Sequence, residues 1–188
     1  MSSDQKLRKN RQEEAKKRAA KKLESKKKEF KKLELFHFTD KRNIKSISKY
    51  GLLGWKTLEE PPYSYKREID YFPGSNIPAP GSTYGRSRYL DVRKGKEDYV
   101  RLSGNMQHPM IGRAEYMNSL DLVFLKINTK IVDDLVCEFS DTNATANIAN
   151  IDYNISTFLK SKDLQAEVLV KHHIPAIYIE DVIHDWRT

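Results

Sequence analysis

In Leu35-Phe36-His37-Phe38-Thr39 the period of the chain changes from helical to extended. Alternate side chains of a strand point to opposite faces, so Phe36 and Phe38 share one face while His37 and Thr39 share the other with Leu35. With both Phe rings in the core, an imidazole and a hydroxyl stand together on the opposite surface. Asp40 then offers a helix N-cap, Ile44 and Ile47 form an i, i+3 apolar pair, and Gly51 suits a helix stop. The expected unit is strand, short helix, turn.

Upstream, residues 4–33 hold no Gly, Pro or β-branched residue and set acids four residues ahead of bases at Asp4/Arg8, Glu13/Lys17, Glu14/Arg18 and Glu24/Lys28, an orientation that favours a helix. The apolar stripe is thin until Leu23, Phe30 and Leu33, so the first half is expected to fray and the second to dock, as an arm rather than a core element. Residues 1–34 carry fourteen Lys/Arg against six Asp/Glu, leaving twenty of each in residues 35–188; the net charge of +8 therefore sits on the arm. A solvated charged helix, a nucleic-acid contact and a protein partner all fit that pattern, and charge alone does not choose. The expected division is a basic helical arm, residues 1–33, and one domain, residues 34–188.

Downstream, residues 56–98 hold five of the seven prolines and four of the eight glycines, together with Tyr63, Tyr65, Tyr71, Tyr84 and Tyr89. Such a stretch is too rich in turns for a regular element and is expected to be a long loop, its Tyr and Arg residues suited either to stacking on bases or to local packing. The second half alternates expected strands at 99–103, 122–127, 136–139, 166–170 and 177–183 with helices entering at Pro109 and near 153–159. This is mixed α+β without regular βαβ alternation, which argues against a doubly wound fold.

Several chemistries are excluded. A single cysteine, Cys137, rules out an internal disulfide framework, and with only five His it makes a Cys-rich zinc finger impossible. His172 and His173 are adjacent and would point to opposite faces of a strand, so no metal site is expected. No G-x-x-x-x-G-K-[ST] occurs, and Gly81-Ser82-Thr83-Tyr84-Gly85 neither follows a clear strand nor opens a helix. No apolar run approaches the roughly 18 residues of a membrane span, and the N-terminus lacks the apolar core of a secretory signal, so a cytoplasmic location without membrane contact is expected. Two polar intrusions into apolar strands remain, His37 and Glu167. In Ala166-Glu167-Val168-Leu169-Val170 the glutamate shares a face with Gln165 and Leu169, where it either meets solvent or lines a cleft.

Leu35-Phe36-His37-Phe38-Thr39, followed by Asn43-Ile44, Ile47 and Gly51-Leu52-Leu53, resembles the opening motif of the DarT family of ADP-ribosyltransferases, which modify nucleic-acid bases using NAD. Residues 100–114, with His108-Pro109-Met110 and Arg113-Ala114, are similar to that family's strand, loop and helix. Ser140-Asp141-Thr142-Asn143-Ala144 and Gln165-Ala166-Glu167-Val168-Leu169-Val170 with Ile174-Pro175 resemble its later segments. The likeness runs in order from about residue 34 to 183 and leaves the basic arm outside.

The resemblance implies an ADP-ribosyltransferase-like fold of two small crossed β-sheets with peripheral helices, preceded here by the basic helix. It implies NAD as co-substrate, Glu167 as the catalytic glutamate, and His37, Thr39 and Asn43 at the cofactor. A carboxylate holding the ribose 2′-hydroxyl stabilises the oxocarbenium-like charge that develops as the nicotinamide bond breaks. Gln107, His108, Arg101 and Arg113 fall where the resemblance places contacts to the base. Family members that modify thymidine carry an Arg in an N-P-R-x-P-M loop, where this chain has Asn105-Met106-Gln107-His108-Pro109-Met110; Gln107 stands in place of that Arg. The partners implied are single-stranded DNA or RNA and a cognate antitoxin, in a toxin–antitoxin or phage-defence system. A tRNA 2′-phosphotransferase and a non-catalytic nucleic-acid-binding module are the alternatives; the Arg-rich motifs of the former are not evident.

Overall fold

The structure, a computed structural model, describes residues 3–59, 86–111 and 120–187. In chain order the elements are α1 (Ser3–Phe30), β1 (Leu35–Asp40), α2 (Ile44–Tyr50), β2 (Leu52–Leu53), α3 (Trp55–Glu59), α4 (Arg86–Lys94), β3 (Tyr99–Ser103), β4 (Leu122–Ile127), α5 (Ile131–Asp134), β5 (Cys137–Ser140), β6 (Ile151–Asp152), α6 (Ser156–Leu159), β7 (Glu167–Lys171), β8 (His173–Ile174) and β9 (Ile179–Ile183). The strand, helix and turn expected from residue 35 onward all form. Asp40 caps the 3-10 turn Lys41–Asn43 by accepting the Arg42 N–H, and Gly51 ends α2 at φ +78°, where a Cβ would strike the Ile174 carbonyl.

The strands form a seven-stranded antiparallel sheet of order β6-β5-β7-β3-β1-β4-β9, with β2 and β8 paired separately. β1 lies against β4 over six residue pairs, from Leu35↔Ile127 to Asp40↔Leu122. Its other neighbour, β3, is held through the single pair Phe36↔Ser103. In place of two separate crossed sheets there is one hydrogen-bonded sheet whose halves, β6-β5-β7-β3 and β1-β4-β9, meet at that bridge. The ladder would next pair Phe38 with Arg101; instead the Arg101 carbonyl is taken by the His37 ring, Nδ1 to O 2.9 Å.

Both faces of β1 are covered, which corrects the expectation of an open surface beside His37. Leu35 is buried with Val100, Leu102, Leu125, Ile127, Val168 and Val170 in the main core. Phe36 packs on the other face with Leu122 and Phe124, joined by Phe38 and Trp186. His37 is left half-buried and Thr39 buried at the end of the strand, away from the centre of the main core.

The turn-rich stretch 56–98 is more regular at its ends than its composition suggests. Trp55–Glu59 and Arg86–Lys94 are helical; residues 60–85 lie outside the described residues. α4 holds no Gly or Pro and stops at Gly95, at φ +62°, where the Gly95 and Lys96 N–H groups donate to the Val92 and Asp91 carbonyls at 3.0 and 2.8 Å. The expected strand at 177–183 begins late, because Pro175 opens a 3-10 turn, Ala176–Tyr178, ahead of β9. The helix near 153–159 is shortened to Ser156–Leu159. The helix at Pro109 is described only at its start, where the Ile111 N–H donates to the His108 carbonyl at 3.0 Å.

The arm is one helix of 28 residues, and its last turn belongs to the core. Phe30 is fully buried, edge-on to Phe139 and Phe158 at 5.9 and 5.8 Å between ring centres. Lys27 and Lys31 close on Asp133 at 2.7 and 2.5 Å. Among the described residues, the intrahelical ion pair formed is Lys26–Glu29 and not the i, i+4 pairs expected at Glu13, Glu14 and Glu24. Phe30→Ala removes the anchoring ring from a filled core and is expected to cost about 3–5 kcal/mol. In thermal unfolding that amounts to a melting temperature lower by roughly 10 °C. An unchanged midpoint would mean that α1 does not dock through Phe30.

Candidate active site

Glu167 opens β7 between β3 and β5, directly across from Ser103 and Ser140. It is buried, 4% exposed, so the alternative in which it meets solvent is corrected: its face of the sheet is covered around Arg101 and the 140–144 turn. Its Oε2 accepts from Arg101 Nη1 at 2.9 Å and from the Ala144 N–H at 2.8 Å. Both bonds fall on one oxygen, and among the described residues Oε1 accepts no hydrogen bond. Burial lifts the carboxyl above the usual carboxylate range, with Arg101 and the Ala144 N–H opposing.

Glu138 is a useful contrast on a neighbouring strand. Its two oxygens are both engaged, one by the Tyr99 hydroxyl at 2.7 Å and the other by Lys96. A carboxylate satisfied on both sides is a structural ion pair, whereas among the described residues Glu167 is held through one oxygen only.

Arg101 is the centre of the arrangement. Beyond Glu167, its Nη2 pairs with Asp91 Oδ1, and Asp91 Oδ2 accepts from the Trp55 indole N–H at 3.3 Å. Asp91 is buried at 3% exposure on α4, and burial lifts its carboxyl as well, against the pull of Arg101. The carbonyl of the same Arg101 receives His37. A carbonyl only accepts, so His37 carries its proton on Nδ1 and offers Nε2 as an acceptor. Burial pushes the imidazole's pKa down and keeps it neutral. One arginine thus ties the first strand to the glutamate: backbone to His37, side chain to Glu167.

The remaining expected residues group around this line. Thr39 Oγ1 accepts from Asn43 Nδ2 at 2.9 Å, so these two act as a pair on the His37 side of β1. In the 105–110 loop, Asn105 Oδ1 accepts the Gln107 N–H at 2.9 Å and its Nδ2 donates to the Leu164 carbonyl at 3.0 Å, which fixes the loop; Gln107 is exposed. His108 is buried, its ring 6.2 Å from Phe38, and its Nδ1 accepts the Met110 N–H at 3.2 Å. The proton therefore sits on Nε2, which has no partner among the described residues. Arg113 lies outside the described residues. Reasoning from sequence missed Asp91 and the Ala144 N–H; the first has partners 36 and 10 residues away, and the second is a backbone group.

Cys137, His172 and His173 are otherwise engaged in the fold. Burial pushes the Cys137 thiol up to about 12, so it is not a thiolate at neutral pH. His172 pairs with Asp98, and His173 bonds the Tyr50 carbonyl at 2.8 Å. Among the described residues no group of three His, Cys, Asp or Glu is placed to hold a metal ion, and no helix is long and apolar enough to cross a membrane.

No family model matches the sequence, and no curated protein matches it. Solved structures do resemble the fold. Thermosipho africanus DarTG in complex with ADP-ribose superposes with a TM-score of 0.58 at 20% identity, covering 80% of this chain and 43% of that one. Thermus sp. 2.9 DarT in complex with NAD+ gives 0.52 at 19% identity, covering 82% of this chain and 83% of that one. The same Thermus protein in complex with ADP-ribosylated ssDNA gives the same values. This chain, spanning less than half of the Thermosipho chain and most of the Thermus one, has the α+β fold of DarT.

Proposed function

We propose that this chain is an NAD-dependent ADP-ribosyltransferase acting on a base of single-stranded DNA, with Glu167 as its catalytic residue. The observation that carries this is the buried Glu167 carboxylate, pinned through Oε2 and open at Oε1, on a strand beside the junction of the two half-sheets. The fold likeness to NAD-bound and ssDNA-bound DarT structures supports it.

NAD supplies the ADP-ribosyl group, whose bond to nicotinamide is the one broken. Glu167 Oε1 accepts a ribose hydroxyl and, as an ionised group in a water-poor site, stabilises positive charge developing on the sugar. His37 Nε2, Thr39 and Asn43 are the acceptors and donors suited to hold the ribose or the nicotinamide amide. The base nitrogen forms the new bond to the ribose carbon as nicotinamide leaves; the proton it sheds passes to Glu167 and then to water.

Arg101 is committed to Glu167 and Asp91, and Gln107 is neutral. Among the described residues neither supplies a free cation to a deprotonated thymine, so the acceptor proposed is an exocyclic amine of guanine or adenine. Unpaired bases are favoured because atoms buried in a duplex must first be flipped out. A chain with this activity in the cytoplasm damages its own host. We therefore expect a toxin of a toxin–antitoxin or phage-defence system, restrained by an antitoxin that occludes the site or hydrolyses the adduct.

The test is mass spectrometry of mixed-sequence single-stranded DNA and RNA oligonucleotides incubated with NAD and either wild-type protein or Glu167→Gln. An ADP-ribose adduct on a purine of DNA, formed by wild type alone, is the expected result. An adduct only on RNA reassigns the polymer, and one mainly on thymidine overturns the choice of base. No adduct on either polymer, with folded protein and intact NAD, overturns the enzyme assignment.

A further inference from the structure

We propose that one face of α1 is a track for the phosphate backbone of the nucleic acid. At 100° per residue, Arg8, Arg11, Ala15, Arg18 and Lys22 fall within an arc of about 80°, a ridge roughly 21 Å long; no acid falls in that arc between Arg8 and Lys22, and the acids on the same line, Asp4 and Glu29, lie beyond its two ends. All five are exposed, and among the described residues none of the four cations pairs with an acid. The acids Glu13 and Glu24 lie on the far side, each four residues ahead of a lysine, Lys17 and Lys28, and Glu14 flanks the ridge about 40° from Arg18. The ridge ends at Lys26, which is paired with Glu29 at 3.1 Å.

Charge complementarity selects an anionic polymer, and the rest of the helix selects which one. Before Phe30 its large apolar side chains are Leu7 and Leu23, about 160° apart around the axis, so there is no apolar face to enter a bilayer or to bury against a partner helix. A stacked single strand rises about 3.4 Å per nucleotide, so the ridge spans about six phosphates.

The root of the arm connects it to the candidate active site. Phe30 packs on Phe158, and the Phe158 ring in turn lies against Gly104, where a Cβ would come within 2.9 Å of it. Gly104 opens the loop that carries Gln107 and His108. Lys27 and Lys31 on Asp133 hold that end of α1 to the body. The near end of the track, Lys22, therefore lies about 12 Å along α1 from Phe30, whose partner Phe158 touches the loop expected to position the base. The inference rests on nucleic acid being the substrate, but its test needs no NAD.

The experiment measures binding of a fluorescent single-stranded DNA oligonucleotide against salt concentration, without NAD, for the full chain and two fourfold variants of equal charge. One replaces Arg8, Arg11, Arg18 and Lys22 by Gln; the other replaces Lys9, Lys17, Lys21 and Lys28 by Gln. Circular dichroism verifies that both keep α1, since Gln is a good helix former. At about 0.7 per phosphate neutralised, the ridge variant is expected to lose roughly 3 from the slope of log affinity against log salt, and the other variant less than about 1. Between 50 and 200 mM salt, wild type should lose about fifty-fold more affinity than the ridge variant. Equal losses in the two variants, or none in either, overturn the track. So does ridge-dependent binding to phosphatidylserine vesicles with an unchanged DNA slope. A protein that binds in this way but never transfers ADP-ribose retains the track and loses the enzyme assignment; an active protein whose ridge variant keeps the wild-type slope does the reverse.

Discussion

Glu167→Gln is expected to lower ADP-ribosyl transfer by about 10³-fold while leaving NAD binding and the fold in place. The amide is isosteric and its oxygen can still accept the Ala144 N–H, and Arg101 keeps Asp91 as an anionic partner, so the local packing has no reason to collapse. What is lost is the negative charge at Oε1, the oxygen that neither Arg101 nor the Ala144 N–H engages. Glu167→Asp separates charge from position: it keeps the carboxylate and withdraws it by one methylene from both its donors and the sugar. A loss of at least about 10²-fold is expected there too, because reacting groups must be placed to within a fraction of an ångström. Single-turnover rates at saturating NAD, with the denaturation midpoint measured alongside, decide the matter. Wild-type turnover in the glutamine variant would mean that Glu167 is a buried ion-pair partner and no more.

The parts of this fold legible in the sequence are those whose signals are local. β1 declares itself through the alternation of Phe36 and Phe38, the turn and helix that follow it through Asp40 at the start and Gly51 at the end, and β4 through the apolar run Leu122–Leu125. α4 was not legible, because five prolines upstream colour the composition of the whole stretch while the nine residues 86–94 contain none of them. Glu167 shows the limit of pattern reading. Alternation places it opposite Ala166 and Val168 but is silent on whether that second face is wet; the answer depends on Arg101, 66 residues earlier, and on the turn at Ala144. Asp91 carries no local mark at all. Its role exists only once α4, Trp55 and β3 are brought together, so tertiary structure alone reveals it.

The largest combined effect is expected from Arg101→Gln, because this one side chain compensates two buried carboxylates. Asp91 and Glu167 are each at most 4% exposed, and removing their shared cation leaves both charges uncompensated, a loss of about 3–5 kcal/mol at pH 8. The pH dependence identifies the cause. Burial already holds both folded-state pKa values above those of the unfolded chain, even with Arg101 opposing. Between the unfolded and the folded value the native state binds more protons, so stability falls as pH rises through that window. Without Arg101 both folded values rise further and the window widens upward. The deficit of the variant is therefore greatest above it and shrinks in acid as both carboxyls become neutral. With Glu167 in its proposed role, transfer is expected to move in the same sense: it needs the ionised carboxylate and fails as pH falls through its pKa, so the acid limb of the rate profile is expected to shift to higher pH in the variant. Arg101→Lys is expected to recover part of the stability, since one ammonium cannot reproduce a guanidinium that reaches Glu167 through Nη1 and Asp91 through Nη2. Denaturant titrations at pH 5 and pH 8 with matched single-turnover profiles test this; a deficit that does not change with pH, or an acid limb that stays where it is in wild type, would show that Arg101 does not set the charge of the glutamate.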